Sequence, residues 1–440
     1  MEMARTAKKL TELRDSLEGH IIDEIEEVDV VVLEELADEL NGISDPRDEA
    51  YVRHKLGDVI LIILLAVLAN ANEWLEVEVF AKKKEAWLRK FLELPYGIPT
   101  DDTCRLVLSR LNTKYVSQIF VGFLLKKFNA ILNVLQGPKK VEEAKEMDIL
   151  SCDGKVSKSS KRNDTDKAGS KPLNTLNAYS SDWGMCIDQE FIGEKTNEIP
   201  AMPILLRRLN LENTIVTWDA LNTQKDTVQA VVDGGGKYVG ALKGNQGNLF
   251  ADVRDYFDED RLAKIEKEDE GREEKQFKRT VEEEHSAVVT REYYIEPQID
   301  WLNGREVWAG LIAIGAVVKT TVKNGTGEII VETRYHICGT SDINDFERAA
   351  RGHWGVENGL HWHLDFTFKD DKNTTTKGNG AEGLQVIKKI ALSLLKVIQA
   401  LYPPRTSLKK IRYRISLDFE NEIEKIFTAL NADKIKEIFV

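Results

Sequence analysis

Met147-Asp148-Ile149-Leu150-Ser151-Cys152-Asp153-Gly154 is where this chain changes its grammar. A short apolar run ends on an acid followed by glycine, which reads as a β-strand over 147–152 closing at Asp153. Ile215-Val216-Thr217-Trp218-Asp219-Ala220 has the same form, a strand over 214–218 closing at Asp219. Between them, 173–181 and 186–192 are strand-like on either side of the turn Asp182-Trp183-Gly184. A helix is expected over about 199–209, with Pro200 and Pro203 near its start, where a missing N–H matters least. After Asp219 come a helix over 223–232, a glycine stop at Gly234-Gly235-Gly236 and a strand over 238–242. Three strands, then helix, strand, helix, strand: this order predicts an α/β fold, a mixed sheet flanked by helices.

Working outward, residues 1 to about 140 read as a helical N-terminal domain. Apolar positions recur with helical spacing in 56–68, 74–87 and 107–132, and nothing there alternates with period two. Thr100 or Asp101 is placed to cap a helix starting near Thr103. Residues 141–440 then form the second domain. It contains an irregular, acidic insertion at about 250–340 with strand-like runs at 307–321 and 328–338. A long helix follows from near Ile343, carrying Trp354, Glu357 and Trp362, and two further helices are expected over 381–401 and 417–430.

Acids at the ends of neighbouring strands can converge on one point, as ligands do at the strand ends of α/β sheets. Asp153 and Asp219 fit that placement, and Glu357 on the later helix is a candidate third carboxylate. Such a set suits phosphoryl transfer, in which two divalent ions stabilise the attacking and leaving oxygens. Mg²⁺ or Mn²⁺ is the expected cofactor, because hard ions accept a few carboxylates and keep several waters. Asp153 is the candidate bridge between two ions. Taken singly, each acid is more often a turn, cap or solvated residue. Separations of 66 and 138 residues are no signature by themselves. A rival reading puts His353, Glu357 and His361 on one helix face as a zinc site, although ligands on a single straight helix converge poorly.

The net charge of −13 argues against non-specific coating of nucleic acid. Basic residues are nonetheless clustered. Between 369 and 414 there are 11 Lys/Arg against three acids, including Lys388 and Lys389, and between 155 and 171 there are six against two. These clusters read equally well as solvated faces. Lys155, Lys388, Lys389, Arg351 and His353 are the candidate DNA contacts. Lys243, Asn245 and Gln246, just after a strand on the same side of the sheet, join them. Hydrophobic content of 42% with 31% charged residues is that of a globular protein, and the longest apolar run, residues 59–69, is too short to span a bilayer. No secretory signal is read at the N-terminus. Four widely spaced cysteines suggest neither a zinc knuckle nor a disulfide framework, so a reduced, cytoplasmic protein is expected.

Longer phrases narrow the field. Asp153-Gly154-Lys155, Glu194-Lys195-Thr196-Asn197-Glu198-Ile199-Pro200, the phrase around Asp219, and 238–246 (Tyr-Val-Gly-Ala-Leu-Lys-Gly-Asn-Gln) occur in that order. Arg351-Gly352-His353-Trp354-Gly355-Val356-Glu357-Asn358 follows and continues through Leu360-His361-Trp362-His363-Leu364-Asp365. With Asp45-Pro46-Arg47 and residues 97–103, these phrases resemble the H-repeat-associated insertion-sequence transposases of the DDE group over about 43–395. The resemblance implies a ribonuclease H-like core, Asp153, Asp219 and Glu357 as metal ligands, and a β-rich insertion between the second and third acids. It implies DNA cleavage and strand transfer at element ends, with a homodimer expected on the DNA. Departures occur at 285–291, where a basic, glycine-containing phrase is usual, at His353, where the broader group often has Arg, and at Asp101, where the family often has His. An inactive, domesticated DNA-binding descendant and a metal-dependent nuclease without strand transfer are the alternatives.

Overall fold

The structure is a computed structural model and describes residues 21–136, 146–160, 171–193, 197–284, 287–376, 378–403 and 406–439. Most of the basic stretch after Lys158, the 194–196 part of the Glu194 phrase and the 285–286 part of the divergent phrase lie outside the described residues.

One nine-stranded mixed sheet organises the part of the chain after the N-terminal helices, in the order β3-β2-β1-β4-β5-β9-β8-β7-β6. Its first five members are β1 (Asp148–Ser157), β2 (Leu173–Ser180), β3 (Met185–Ile192), β4 (Thr214–Trp218) and β5 (Lys237–Leu242). β1, β4 and β5 run parallel, while β2 is antiparallel to both β1 and β3. This is the ribonuclease H-like arrangement. The parallel strands are buried on both faces and are accordingly apolar without alternation, as Ile215-Val216 in β4 illustrates. One face is covered by the helices Glu198–Leu206 and Lys225–Asp233, over a core built on Trp218 and Tyr238. The other is covered by the helix Ile343–Gly352 through Phe346 and Ile343.

The insertion extends this sheet. β6 (Phe277–Glu284), β7 (Ala287–Glu296), β8 (Ala313–Lys323) and β9 (Ile329–Cys338) form a meander whose last strand pairs with β5, from Val239↔Cys338 to Leu242↔Tyr335. The strand expected from 307 begins six residues later. Gly310, at φ +63°, breaks the run, and Trp308 and Leu311 instead plug the core beneath the helices.

The N-terminal region is helical, as expected, with two corrections. The 74–87 segment breaks at Lys84, and 107–132 divides into Asp101–Arg110 and Thr113–Gln136 around Leu111 and Asn112. Thr100 caps the former, accepting from Thr103 N at 3.3 Å. These helices share one core with the C-terminal helices: Leu56–Leu68 and Thr113–Gln136 pack on Gly380–Gln399. The helix expected over 417–430 is Phe419–Thr428, and a further helix not read from the sequence, Leu408–Leu417, precedes it. Thr113–Val134 is long and apolar enough by composition to cross a membrane. Half of it is buried in the protein, with Val116, Phe120, Phe128 and Ile131 in the shared core, and a core helix meets the same description.

Candidate active site

Register brings Asp153 and Asp219 together. The last paired residues of β1 and β4 are Cys152↔Trp218, so both acids are the next residue along neighbouring parallel strands, about 4.8 Å apart in the pairing direction. The strand does not end at Asp153, as the sequence suggested. β1 runs on to Ser157, held by β2 alone, so the site is the point where β4 leaves and β1 continues. Beyond Asp219 the chain turns at once, since the acid's own backbone and side chain accept from Asn222 N and cap the short turn Ala220–Asn222.

Glu357 comes from the other side of the sheet. The helix Ile343–Gly352 is pressed onto β1, with Arg348 donating to Met147 O and Ser151 to Gly352 O. Gly352 allows this contact: a Cβ there would lie 2.7 Å from Ile149. After Val356 the helix widens to a π turn over Glu357–His361, and Trp362 N bonds Glu357 O, five residues back. Insertions of this kind recur at functional sites. Gly359, inside the turn, sits where a Cβ would be 2.3 Å from Tyr179 Oη. The turn therefore lies directly against β2, and Glu357 projects beside Asp153.

Ligand atoms of Asp153, Glu357 and His361 lie within 4.8 Å of one another. His361 Nδ1 is 3.0 Å from Glu357 Oε2 and 3.6 Å from Asp153 Oδ2. The proton on that imidazole can be placed. Buried Lys389 donates to Asn177 Oδ1 at 2.5 Å and also to Gln189 Oε1, which turns the Asn177 amide NH₂ toward His361 Nε2, 3.3 Å away. Nε2 must then accept, and Nδ1 carries the hydrogen toward Glu357. Burial, offset in part by Glu357, holds the imidazole down to about 4, so it is neutral. With its hydrogen on Nδ1 the imidazole donates to Glu357, and the carboxylate oxygens of Asp153 and Glu357 are the atoms open to a cation in this arrangement.

A fourth acid adjoins them. Glu198 Oε2 accepts from Asn222 Nδ2 at 3.2 Å, and the same Nδ2 is 3.4 Å from Asp219 Oδ1. Burial, with the charges of Glu198, Asp219 and Glu357 adding to it and the Gly154 N–H opposing, pushes the Asp153 carboxyl up to about 7. Uncompensated negative charge with oxygen donors fits a hard divalent cation. Sequence reading missed Glu198 as a site residue, though the phrase that contains it was visible. The helix cap Asn197 ahead of it, accepting from Ile199 N, was the available signal.

The other candidates fall differently. Lys388 and Lys389 are buried and engaged inside the fold, Lys388 with Asp370 and Lys389 with Asn177 and Gln189. This corrects their expected place on a phosphate-facing surface. Lys155 is also buried and paired with Asp365 at 2.5 Å. Arg351 is held by both carboxylate oxygens of Glu282 on β6. Asn245 and Gln246 donate to Ala220 O and Thr223 O, so they fasten the turn after Asp219. Lys243 is exposed at the end of β5, near His353. His353 is half-buried, its Nδ1 has no hydrogen-bond partner among the described residues, and burial depresses its basicity despite Asp219 and Glu357 nearby. Among the described residues, the three-ligand grouping around Glu357 contains Asp153 and not His353. Trp354 and Trp362 are exposed, with Arg334 over Trp354 and Phe366 stacked on Trp362.

The sequence matches the family described as "Transposase DDE domain" over residues 144–394, and that described as "DDE_Tnp_1-associated" over residues 37–124. The chain belongs to the DDE-domain transposase family. It is 28% identical to "Putative transposase YncI" of Escherichia coli O157:H7, across 88% of this chain and 93% of that protein. It is 27% identical to "H repeat-associated putative transposase YhhI" of Escherichia coli K12, across 82% and 90%. A shorter relative, "Inactive transposase YbfQ" of the same strain, is 31% identical over 18% of this chain and 93% of its own length. The solved piggyBac transposase synaptic complex with hairpin DNA aligns over 99% of this chain and 83% of that one, at a TM-score of 0.36 and 12% identity, too weak a likeness to bear on mechanism.

Proposed function

We propose that this transposase cleaves DNA strands at the ends of an insertion sequence and joins them to a target, using two Mg²⁺ or Mn²⁺ ions held by Asp153, Asp219 and Glu357. The observation that carries the reading is the crowding of unneutralised carboxylates where β1 and β4 part, with Glu357 delivered onto it by a π turn. When bound, the ions supply charge stabilisation for the attacking and leaving oxygens of the phosphodiester. The chain's own part is to hold the oxygens in place. Asp153 and Asp219 are fixed by strand register. Glu357 is fixed by the hydrogen bond from His361, itself held through Asn177 and Lys389.

The test is to supply 3′-hydroxyl-ended DNA with a target plasmid and Mg²⁺. Joined products are expected, and Asp153→Asn, Asp219→Asn and Glu357→Gln should each reduce them at least about 10²–10³-fold. Nicking without joining would make the protein a nuclease. Near-wild-type activity in one variant would remove that residue from the set.

A further inference from the structure

Glu198 opens the helix Glu198–Leu206, where an acid favours the helix dipole, but its carboxylate is turned into the site. Oε1 lies so close over Gly154, the residue after Asp153, that a Cβ there would be 2.1 Å away. Its other oxygen shares one donor, Asn222 Nδ2, with Asp219. Two carboxylates on one neutral donor repel each other, and that single amide does not offset a pair of charges held this close. Asn222 is completely buried, and its Oδ1 has no partner among the described residues. An amide oxygen left bare inside the protein keeps the whole cost of losing its water. Both deficits point to the same missing species, a hard cation, which takes carboxylate and amide carbonyl oxygens together.

We propose that Glu198 is a fourth carboxylate ligand of the metal site, holding one ion with Asp219 and Asp153, and that Asn222 Oδ1 faces the same ion. The inference rests on the reading of the chain as a divalent-ion enzyme. It explains why glycine follows Asp153, since any side chain there would expel Glu198.

Mn²⁺ titration of the purified full chain without DNA, followed by the electron paramagnetic resonance of the free ion, tests it. Glu198→Gln keeps an acceptor for Asn222 and should melt no lower than wild type, yet weaken Mn²⁺ binding at least about tenfold. Glu198→Asp retains the charge on a shorter arm and should recover part of that loss, which a merely structural role would not produce. If Glu198→Gln binds Mn²⁺ as wild type does while Asp153→Asn does not, the Glu198 assignment is overturned and the metal reading stands. If Asp153→Asn also binds normally, the metal reading itself fails. A Glu198→Gln chain that melts early, with Glu198→Asp no better at binding, would make Glu198 a structural residue.

Discussion

His361 donates from Nδ1 to Oε2 of Glu357 across 3.0 Å, and the direction of that bond is set by a lysine on another helix. Lys389 fixes the amide of Asn177, Asn177 fixes the tautomer of His361, and His361 aims the carboxylate. Replacing His361 by Ala removes the donor to Glu357, while the Asn177 NH₂ keeps Asp153 O and Thr175 O as acceptors. DNA cleavage should fall about 10–100-fold, as for other partners that orient a metal ligand. Purified active wild-type protein should contain no stoichiometric zinc, since the Nδ1 lone pair is occupied by hydrogen. Stoichiometric zinc that disappears together with activity in His361→Ala would make the imidazole a ligand instead.

Neutralising Asp153 should stabilise the metal-free protein. Its carboxyl titrates near 7 in the fold, raised first by burial and then by the charges of Glu198, Asp219 and Glu357, against about 3.9 in an unfolded chain. Below the unfolded value both states hold the proton and no penalty exists. Between the two values only the folded state holds it, so stability falls as pH rises, and above about 7 the penalty is complete. Asp153→Asn should therefore raise metal-free stability at pH 8 by on the order of 1–3 kcal/mol, allowing for solvent screening, and do little at pH 3. Chelator-treated protein melted at both pH values gives the answer. A variant less stable at pH 8 would contradict the geometry.

How much of this was legible follows the range of the interactions. Strand order, and the meeting of Asp153 with Asp219, could be read because apolar runs ending on acids report local pattern and register. The burial of Lys388 and Lys389 could not. Gly380–Gln399 carries an ordinary amphipathic pattern, and only the sheet on one side and the N-terminal helices on the other cover its lysines. β6 was hidden for the opposite reason. As an edge strand with alternate residues half-exposed, its Glu282-Glu283-Glu284 run looked like solvated charge. The π turn leaves no periodic trace, since it shifts a helix by one residue, and its Gly359 becomes intelligible only with Tyr179 in view.

Gly359→Ala should separate geometry from stability. The added methyl would meet Tyr179 Oη and Cζ at 2.3 and 2.8 Å, closer than carbon atoms can approach. Tyr179 is pinned by Lys396, which donates to its oxygen, so the helix must move instead. Overpacking of this kind costs about 1–3 kcal/mol. The displaced segment is the one that bears Glu357, so cleavage should drop further than the lowered melting temperature explains. Mn²⁺ titration should show weakened binding in a chain that is still folded at the assay temperature. Full activity in a folded variant would mean that the π turn does not position the acid.

An acidic protein can meet DNA only where its cations face solvent. Lys388 and Lys389 are inside the fold, so Lys389→Met should not alter the salt dependence of DNA affinity. It should instead destabilise the protein, because the Asn177 and Gln189 oxygens lose their donor at about 1–3 kcal/mol for each buried group. Lys409 and Lys410, by contrast, are exposed on Leu408–Leu417, and Lys243 is exposed where β5 reaches the acids. Lysines on phosphates read no sequence, so replacing these three by Ala should weaken all DNA sequences alike. Every phosphate left without its lysine should flatten the salt dependence by up to about 0.9 log units of slope. Affinity measured from low to moderate salt for both variants decides it. If the triple variant overlays on wild type, the phosphate-binding surface lies elsewhere. If Lys389→Met flattens the slope while the fold is intact, its burial cannot be its role.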